Sequence, residues 1–512
     1  MLGRSAQGRW AVRAVFITVW LVTPGANYAQ DEAPAAVLPE LPASELPAAS
    51  ARAEAVTPLV PGQVIHPIDL VGALRLAGAR DLDIAIARER VCQAMAELEQ
   101  ARALWLPSLF IGPNWIRHDG QAQVVEGPVR TISKSSLFLG ATAAAGSSVS
   151  GPVPAGGPAQ VTGLTTVLRI SDAIFTPLAA RQVVEARRAG VQAATNDALL
   201  GVAEAYLDLQ RAAGRLAIAR EAADNAETLA ALTSAYARTG AGLEADHQRS
   251  LVERDRRRRE IEEAVGQLEI ASAELVRRTR LDPRVMVAPL EPPETVLRVV
   301  DEGWTLDSLI ATALSHRPEL AEAQALVQAT LVRLRLAKLR PLIPSLAFRY
   351  SGGGFGGGKN DFFGDFAGRS DADVNLYWEL QNLGFADRAI ARQRGAQQRA
   401  AMLELLKVQD RVAYQVVAAD KGRLAAARQM EAAARAVPEA LRSLELNLVN
   451  IRRGAGLPGA TRPIEVLQPV QALAQARADY LEAVLAFNRA QFRLYHALGR
   501  PPLVTHAPPP SR

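Results

Sequence analysis

The sequence is short of the residues that support disulfide bonds, metal binding and catalysis. It has one cysteine, Cys92, so no disulfide can form within the chain. Its six histidines are scattered, with no pair at metal-ligand spacing and no arrangement that indicates a Ser/His/Asp triad. We therefore expect no metal, no cofactor and no enzyme activity. The histidines are His66, His118, His247, His316, His496 and His506.

Aromatic residues and long apolar runs are also scarce. Aromatic side chains make up 5% of the chain, and the apolar stretch at residues 14–22 falls well short of the roughly 18 residues that span a bilayer as a helix. Three arginines precede this stretch, and small residues ending at Ala29 follow it. That pattern predicts a secretory signal peptide over residues 1–29, and hence an exported protein.

The charge gives no reason to expect a nucleic-acid partner. Removal of the signal peptide leaves 55 of the 58 basic residues against 53 acidic ones, and no basic face is interleaved with aromatic residues. The arginine-rich segment 253–260 also carries acids, which favours a solvated helix face over a polyanion site. The glycine-rich segment 353–359 is no phosphate-binding loop, since Asn360 stands where serine or threonine is needed.

Most of the chain is predicted to be helical and to contain two copies of one plan. Residues 30–64 are rich in proline and alanine and are predicted to form a disordered linker. We expect a first repeat over residues 65–283, an inter-repeat segment over 284–303, a second repeat over 304–502 and a C-terminal tail over 503–512. Each repeat opens with a helix that ends at a Pro-Ser-Leu segment.

Short segments with the alternation of β-strands follow each Pro-Ser-Leu segment. In the second repeat the alternating apolar positions are Leu346, Phe348 and Tyr350, and then Ala372, Val374, Leu376, Trp378 and Leu380. A glycine-rich loop is predicted between these two strands. In the first repeat we expect strands at residues 109–116 and 164–171 with a long Gly/Ser/Pro loop between them. The chain would thus supply four strands, too few to close a barrel.

A very long helix follows the strands of each repeat. Apolar residues of the first one recur at alternating steps of three and four, the seam of a coiled coil, at Leu199, Val202, Tyr206, Leu209, Ala213 and Leu216. An unbroken helix over residues 178–238 would be about 90 Å long at 1.5 Å per residue. Glycines break the helical pattern near Gly240 and again at 454–459.

This combination resembles the TolC-like outer-membrane efflux family, over nearly everything from residue 65 to residue 502. The resemblance rests on the two Pro-Ser-Leu segments, the glycine turns, and the stretch from Tyr480 to Gly499. It implies a mainly α fold with a small β part, in which a homotrimer forms a 12-stranded transmembrane β-barrel on an α-helical periplasmic tunnel. It also implies outer-membrane lipid, a periplasmic adaptor and an inner-membrane transporter as partners.

The two glycine turns are the candidate functional site, and the resemblance implies that they form the periplasmic gate and adaptor-docking tips. An acid follows each turn, where a three-fold ring could form. The alternative is that the glycines simply end helices. The candidate residues are Gly240, Gly242, Leu243, Asp246, Gly454, Gly456, Leu457 and Glu465.

Three functions remain open at this point. The resemblance favours the channel of a tripartite efflux pump, a passive conduit for small molecules. A type I protein secretion conduit would use the same architecture. A soluble periplasmic coiled-coil scaffold is the alternative from another class, although the alternation over residues 372–380 argues against it.

Overall fold

The two predicted repeats form two sets of helices joined through one antiparallel β-sheet. The computed structural model describes residues 65–123, 127–145, 147–148, 166–240, 242–301, 303–454 and 463–499. The predicted signal peptide, the linker and the tail from residue 503 lie outside these residues. The helices are α1 (Leu70–Arg80), α2 (Leu82–Arg102), α3 (Ile170–Arg238), α4 (Glu244–Thr279), α5 (Leu306–His316), α6 (Pro318–Leu339), α7 (Phe385–Gly454) and α8 (Leu467–Ala497).

Helices of corresponding length stand at corresponding places in the two repeats. α1 and α5 both have 11 residues, and α3 and α7 have 69 and 70. Both helices before the sheet, α2 and α6, end in a short 3-10 turn just ahead of the Pro-Ser-Leu segment, as the prolines predict.

The predicted seam of α3 packs as a core. Leu199, Val202, Tyr206, Leu209 and Leu216 are all at most 5% exposed. They belong to the largest buried cluster, which also takes in side chains of α1, α4 and α8. Packing of this face, rather than helix propensity, holds so long a helix in place.

The larger β-sheet contains strands of both repeats and lies at one end of the long helices. It contains β2, β3, β7 and β8 side by side, and all of its pairings are antiparallel. The remaining strands of this sheet are short and lie near the helical end, where β5 pairs with the first residues of β7. The strands are β2 (Pro107–Gln123), β3 (Val129–Ala145), β4 (Ser147–Ser148), β5 (Thr166–Arg169), β7 (Ser345–Gly358) and β8 (Ala367–Tyr377).

In the first repeat, the observed strands differ from the predicted ones. The stretch assigned to a loop contains β3, which pairs with β2 along its full length, from Pro107 opposite Ala145 to Gln123 opposite Val129. β3 and β5 occupy successive parts of the same edge of β7, so together they fill one strand position. Four strand positions remain, as expected.

In the second repeat, the prediction of a glycine-rich loop is wrong for most of the glycines, which lie within a strand. Residues 352–354 and 356–358 are glycines within β7 and are paired with β3. A Cβ built on Gly353 would lie 2.4 Å from the carbonyl oxygen of Leu139, so the two backbones approach too closely for a side chain there. Glycine is required by that approach and not by a turn.

A second, two-stranded sheet ties the start of the first repeat to the inter-repeat segment. β1 (Ile65–Ile68) pairs in parallel with β6 (Met286–Pro289). The hydroxyl of Tyr206 donates to the carbonyl oxygen of Ile68 at 3.3 Å and also contacts the carboxylate of Glu291. The predicted inter-repeat segment is therefore anchored on α3.

Candidate functional site

The first glycine turn joins α3 to α4 through a tightly bonded loop. Gly240 has a φ of +74°, a backbone conformation that residues with a Cβ rarely adopt. The amide of Gly242 donates to the carbonyl oxygen of Tyr236 at 3.0 Å, which closes the end of α3. Leu243 follows as the N-cap residue of α4 and is 58% exposed. The turn thus presents an apolar side chain at its outer surface.

The acid of this turn is buried within the protomer. Asp246 lies in the first turn of α4, where the helix dipole favours a negative charge, and it is 6% exposed. Arg249, one helical turn later, has its Nη1 3.5 Å from Asp246 Oδ1. In this arrangement Asp246 is paired and faces no open space.

The second turn is described on both sides of its apex. α7 ends at Gly454, and the chain resumes in a 3-10 turn over Pro463–Val466 that leads into α8. Gly456 and Leu457 lie outside the described residues. Glu465 is exposed, whereas its neighbour Val466 is 1% exposed and packs inward. Of the two candidate acids, Glu465 is therefore the one on the surface.

A shared core and one hydrogen bond bring the two turns to the same end of the helices. Leu229 of α3, Ile451 of α7 and Val470 of α8 belong to one buried cluster. The hydroxyl of Tyr236 donates to the carbonyl oxygen of Ile451 at 3.2 Å. We call this end, from the two turns to that cluster, the helical tip.

A buried polar contact near the helical tip was not foreseen from the sequence. The carboxylate of Glu253 pairs with Arg257 at 2.8 Å, and both side chains are about nine-tenths buried. The amide of Gln471 on α8 donates to the same carboxylate at 3.2 Å, which ties α4 to α8. Sequence spacing shows the pair within α4 but gives no sign of Gln471, which is 218 residues away.

The arginine-rich segment of α4 is largely occupied by ion pairs. Arg256 pairs with Glu260 at 3.1 Å and Arg258 with Glu227 of α3 at 2.9 Å. Such pairs on a solvated face match the prediction from charge spacing. The geometry gives no support to a polyanion site here.

The large sheet has one strongly apolar face. Directly opposed residues of antiparallel strands point to the same side, so the register places one set of large side chains together. Each of them is 47% to 77% exposed. This apolar face consists of Leu109, Ile111, Trp115, Leu139, Tyr350, Val374 and Leu376.

The opposite face is charged and less open. It carries Arg349 and Asp373, whose side chains pair across β7 and β8, with Arg349 Nε 2.8 Å from Asp373 Oδ2. Neighbouring positions on β3 show the contrast between the faces, since Phe138 on this side is 5% exposed and Leu139 on the apolar side is 55% exposed. This second side of the sheet is therefore the less exposed one, and we call it the polar face.

Aromatic side chains gather at the end of the sheet that is far from the helices. The rings of Trp115 and Phe362 lie 5.5 Å apart, and those of Phe363 and Phe366 lie 6.3 Å apart. Phe363 is 68% exposed. Amphipathic or aromatic groups at such a position suit the interface of a membrane.

The described residues contain neither a group of side chains suited to a metal ion nor a helix suited to cross a bilayer. Across the stretches of chain that the structure describes, no group of three His, Cys, Asp or Glu side chains could hold a metal ion. No helix within those same stretches is both long and apolar enough to cross a bilayer.

The comparisons with known proteins point in one direction. The sequence model of the family described as "Outer membrane efflux protein" matches residues 309–500, most of the second repeat. No curated protein sequence matches the chain. The resemblance to outer-membrane efflux proteins that the sequence predicted is confirmed.

Solved structures of outer-membrane channels share the fold. The outer-membrane channel OprN matches with a TM-score of 0.68 and 17% identity, over 84% of this chain and 89% of its own. The CmeC outer membrane channel of Campylobacter jejuni matches at 0.68 and 14%, over 84% and 85%. The open state of the MtrE outer membrane channel of Neisseria gonorrhoeae matches at 0.66 and 17%, over 85% and 91%. The chain has the fold of these channels, mostly helical with a small strand part.

Proposed function

We propose that three copies of this chain form a channel across an outer membrane, a passive conduit that carries small molecules from the periplasm to the exterior. A periplasmic adaptor and an inner-membrane transporter would supply the cargo and the energy. The observation that carries this proposal is the two-faced sheet at the end of helices about 100 Å long, at 1.5 Å per residue.

The apolar face favours lipid as its surroundings. Its seven large side chains form an exposed band that would be a liability in water. In a bilayer the same band is the expected outer surface of a transmembrane barrel, with a polar interior. The charged residues of the polar face fit that interior.

The edges of the sheet favour pairing between copies. Within the described residues, β2 pairs with β3 alone and β8 with β7 alone, so each has one edge without a strand partner. In lipid such backbone groups must be satisfied, which open edges cannot achieve. Pairing β2 of one copy with β8 of the next would close three sets of four strand positions into a twelve-stranded barrel.

The helical tip is proposed as the periplasmic end of the channel. It lies at the far end of α3 and α7 from the sheet, and it presents Leu243 and Glu465 at its surface. We assign gating and adaptor docking to the eight candidate residues of the two turns. Because Asp246 is buried against Arg249, Glu465 is the better candidate for an acidic ring.

One pair of variants on β2 tests the proposal. Ile111→Lys places a charge on the apolar face, which costs about 2–4 kcal/mol per copy near the middle of a bilayer. We expect this variant to lose outer-membrane trimers, measured by membrane fractionation and by the mass of the detergent-extracted particle. Asn114→Lys puts the same charge on the opposite face of the same strand and should keep them. Equal assembly of the two variants would contradict the proposed orientation of the sheet.

A further inference from the structure

Arginine and carboxylate groups alternate along the polar face of the sheet. Among the residues of β7 and β8, the charged ones are two arginines and two aspartates, Arg349, Arg369, Asp371 and Asp373. The register places all four on the polar face, with Arg349 opposite Asp373 and Asp371 opposite Ser351. The four charges sum to zero.

Each of these carboxylates is held by an arginine. Arg349 reaches Asp373 with Nε at 2.8 Å, and its Nη2 also contacts the same oxygen. Arg369 Nε donates to Asp371 Oδ2 at 2.8 Å. The arginine side chains are 28% and 25% exposed, so solvent screens these pairs less than it screens an ion pair in open water.

The pairing continues at both ends of this row. Towards the helices, Arg169 of β5 lies 3.4 Å from Glu379, just past the end of β8. Towards the far end, the guanidinium of Arg369 lies 4.7 Å from the centre of the Phe355 ring, a cation-π contact that fixes its position. We call the three ion pairs together the arginine ladder.

The arginine ladder lies on the less exposed side of the sheet. Phe138, Ala347 and Ser351 lie on this side and are at most 7% exposed, whereas the apolar face is widely exposed. In the proposed barrel this side faces the lumen. In a closed barrel of three copies, each rung would be repeated three times around the lumen at the same height.

We propose that the arginine ladder makes the part of the barrel lumen lined by β7 and β8 charge-compensated, so that this part distinguishes anions from cations only weakly and lets neutral and zwitterionic solutes pass without a charge barrier. This inference rests on the proposed channel function. Asp373 and Arg349 are its specificity-determining residues, because removal of either one would leave three unpaired charges of one sign around the lumen.

The test is the ion selectivity of the purified full-length protein in planar lipid bilayers under a potassium chloride gradient. The wild-type chloride-to-potassium permeability ratio serves as the reference, because other charged residues of the channel, such as Glu465 at the helical tip, also contribute to it. Asp373→Asn frees three arginines and should raise the ratio by at least about threefold, and Arg349→Gln should lower it to a similar extent. The double variant should return it to the wild-type value.

A matched control uses an ion pair that lies off the polar face. Arg117 and Asp119 pair at 2.5 Å on β2, and the unbroken register places them on the side of Ile111 and Trp115, beyond the apolar band. Asp119→Asn should leave the permeability ratio unchanged.

The outcomes separate the inference from the function on which it rests. Opposite shifts in the single variants with recovery in the double variant support the arginine ladder, and either single variant suffices if the other fails to insert. If the channels conduct but the permeability ratio does not change in the Asp373 and Arg349 variants, the role of the arginine ladder is contradicted. The same holds if Asp119→Asn changes the ratio equally. In both cases the proposed channel function stands. Wild-type protein that forms no trimer in the outer membrane overturns both the arginine ladder and the channel function.

Discussion

The two repeats reach the same architecture through different local chemistry. At the start of the second helix, the first repeat has Asp81, whose carboxylate accepts from the amides of Asp83 and Ile84. The second repeat has Arg317 there, followed by Pro318 at the first helical position, with no side-chain cap. Helix position is thus conserved between the repeats while the means of ending and starting a helix are not.

The second repeat uses this position to bind the end of the chain. Arg317 is 6% exposed, and its guanidinium donates to the carbonyl oxygen of His496 at 3.0 Å and to Gln415 Oε1 at 2.7 Å. It also lies 3.0 Å from Glu319. One residue therefore ties α5, α6, α7 and α8 together, a role that the half-buried Asp81 does not have.

The stabilising roles of the two equivalent residues, Arg317 and Asp81, can be compared by replacing each with alanine. We expect Arg317→Ala to lower the free energy of unfolding by about 4 kcal/mol, because it leaves buried partners unsatisfied. Asp81→Ala removes an N-cap and should cost about 1 kcal/mol. Urea denaturation followed by the helical circular dichroism signal measures both. Equal losses in the free energy of unfolding would show that Arg317 only starts α6 and that its contacts with α7 and α8 add no stability.

The ends of α4 and α8 offer a second comparison. Both helices are followed by a residue with positive φ, Arg280 at +56° after α4 and Gly499 at +81° after α8. A Cβ on Gly499 would lie 2.7 Å from the carbonyl oxygen of His316. We expect Gly499→Ala to destabilise the protein by about 3 kcal/mol, from backbone strain together with the clash.

Arg280→Gly should change stability in the opposite direction. It relieves the positive φ of a residue with a Cβ and should add about 1 kcal/mol, measured in the same denaturation experiment. A loss of stability on this change would mean that the Arg280 side chain makes contacts worth more than its backbone strain.

The smallest expected effect concerns an ion pair at the end of α4. Arg277 and Arg278 lower the pKa of Glu274 to about 2, against an ordinary value of 4.5, so its ionised form stabilises the folded state above pH 4.5. That stability is lost as the pH falls from 4.5 towards 2. Because the side chain is 40% exposed, we expect Glu274→Gln to cost only about 0.5 kcal/mol at pH 7.

The measurement is the difference in urea midpoint between the wild type and Glu274→Gln at several pH values. It should shrink as the pH falls below 4.5. In the second repeat the last turns of α8 contact another helix instead, with Arg493 Nε 2.7 Å from Glu204 Oε1 on α3. A difference that persists unchanged at pH 3 would contradict the assigned cause.

Much of the fold could be predicted because local signals and the repeat agree. The seam of α3, the prolines before each strand and the first glycine turn are properties of nearby residues, and all of these appear in the structure. β3 could not be predicted in the same way. Its residues 135–145 are mainly serine, alanine, glycine and leucine, a composition with little strand propensity, and its pairing with β2 and β7 makes it a strand.

The parts of the site that the sequence missed depend on distant partners. Gln471 reaches Glu253, and Arg317 reaches His496, across 218 and 179 residues of chain. The pairing of Arg349 with Asp373 could have been suspected, since both follow the period of the predicted strands, but only the register sets them opposite each other. The glycines of β7 resemble a loop until the close approach of β3 is known.

The most direct test of the channel account is the location and mass of the mature wild-type protein. Cells that express the full chain would be fractionated into periplasm, inner membrane and outer membrane, and the protein would be extracted in mild detergent for native mass measurement. The account predicts an outer-membrane particle containing three chains. A soluble periplasmic monomer or dimer would contradict it and would favour the coiled-coil scaffold.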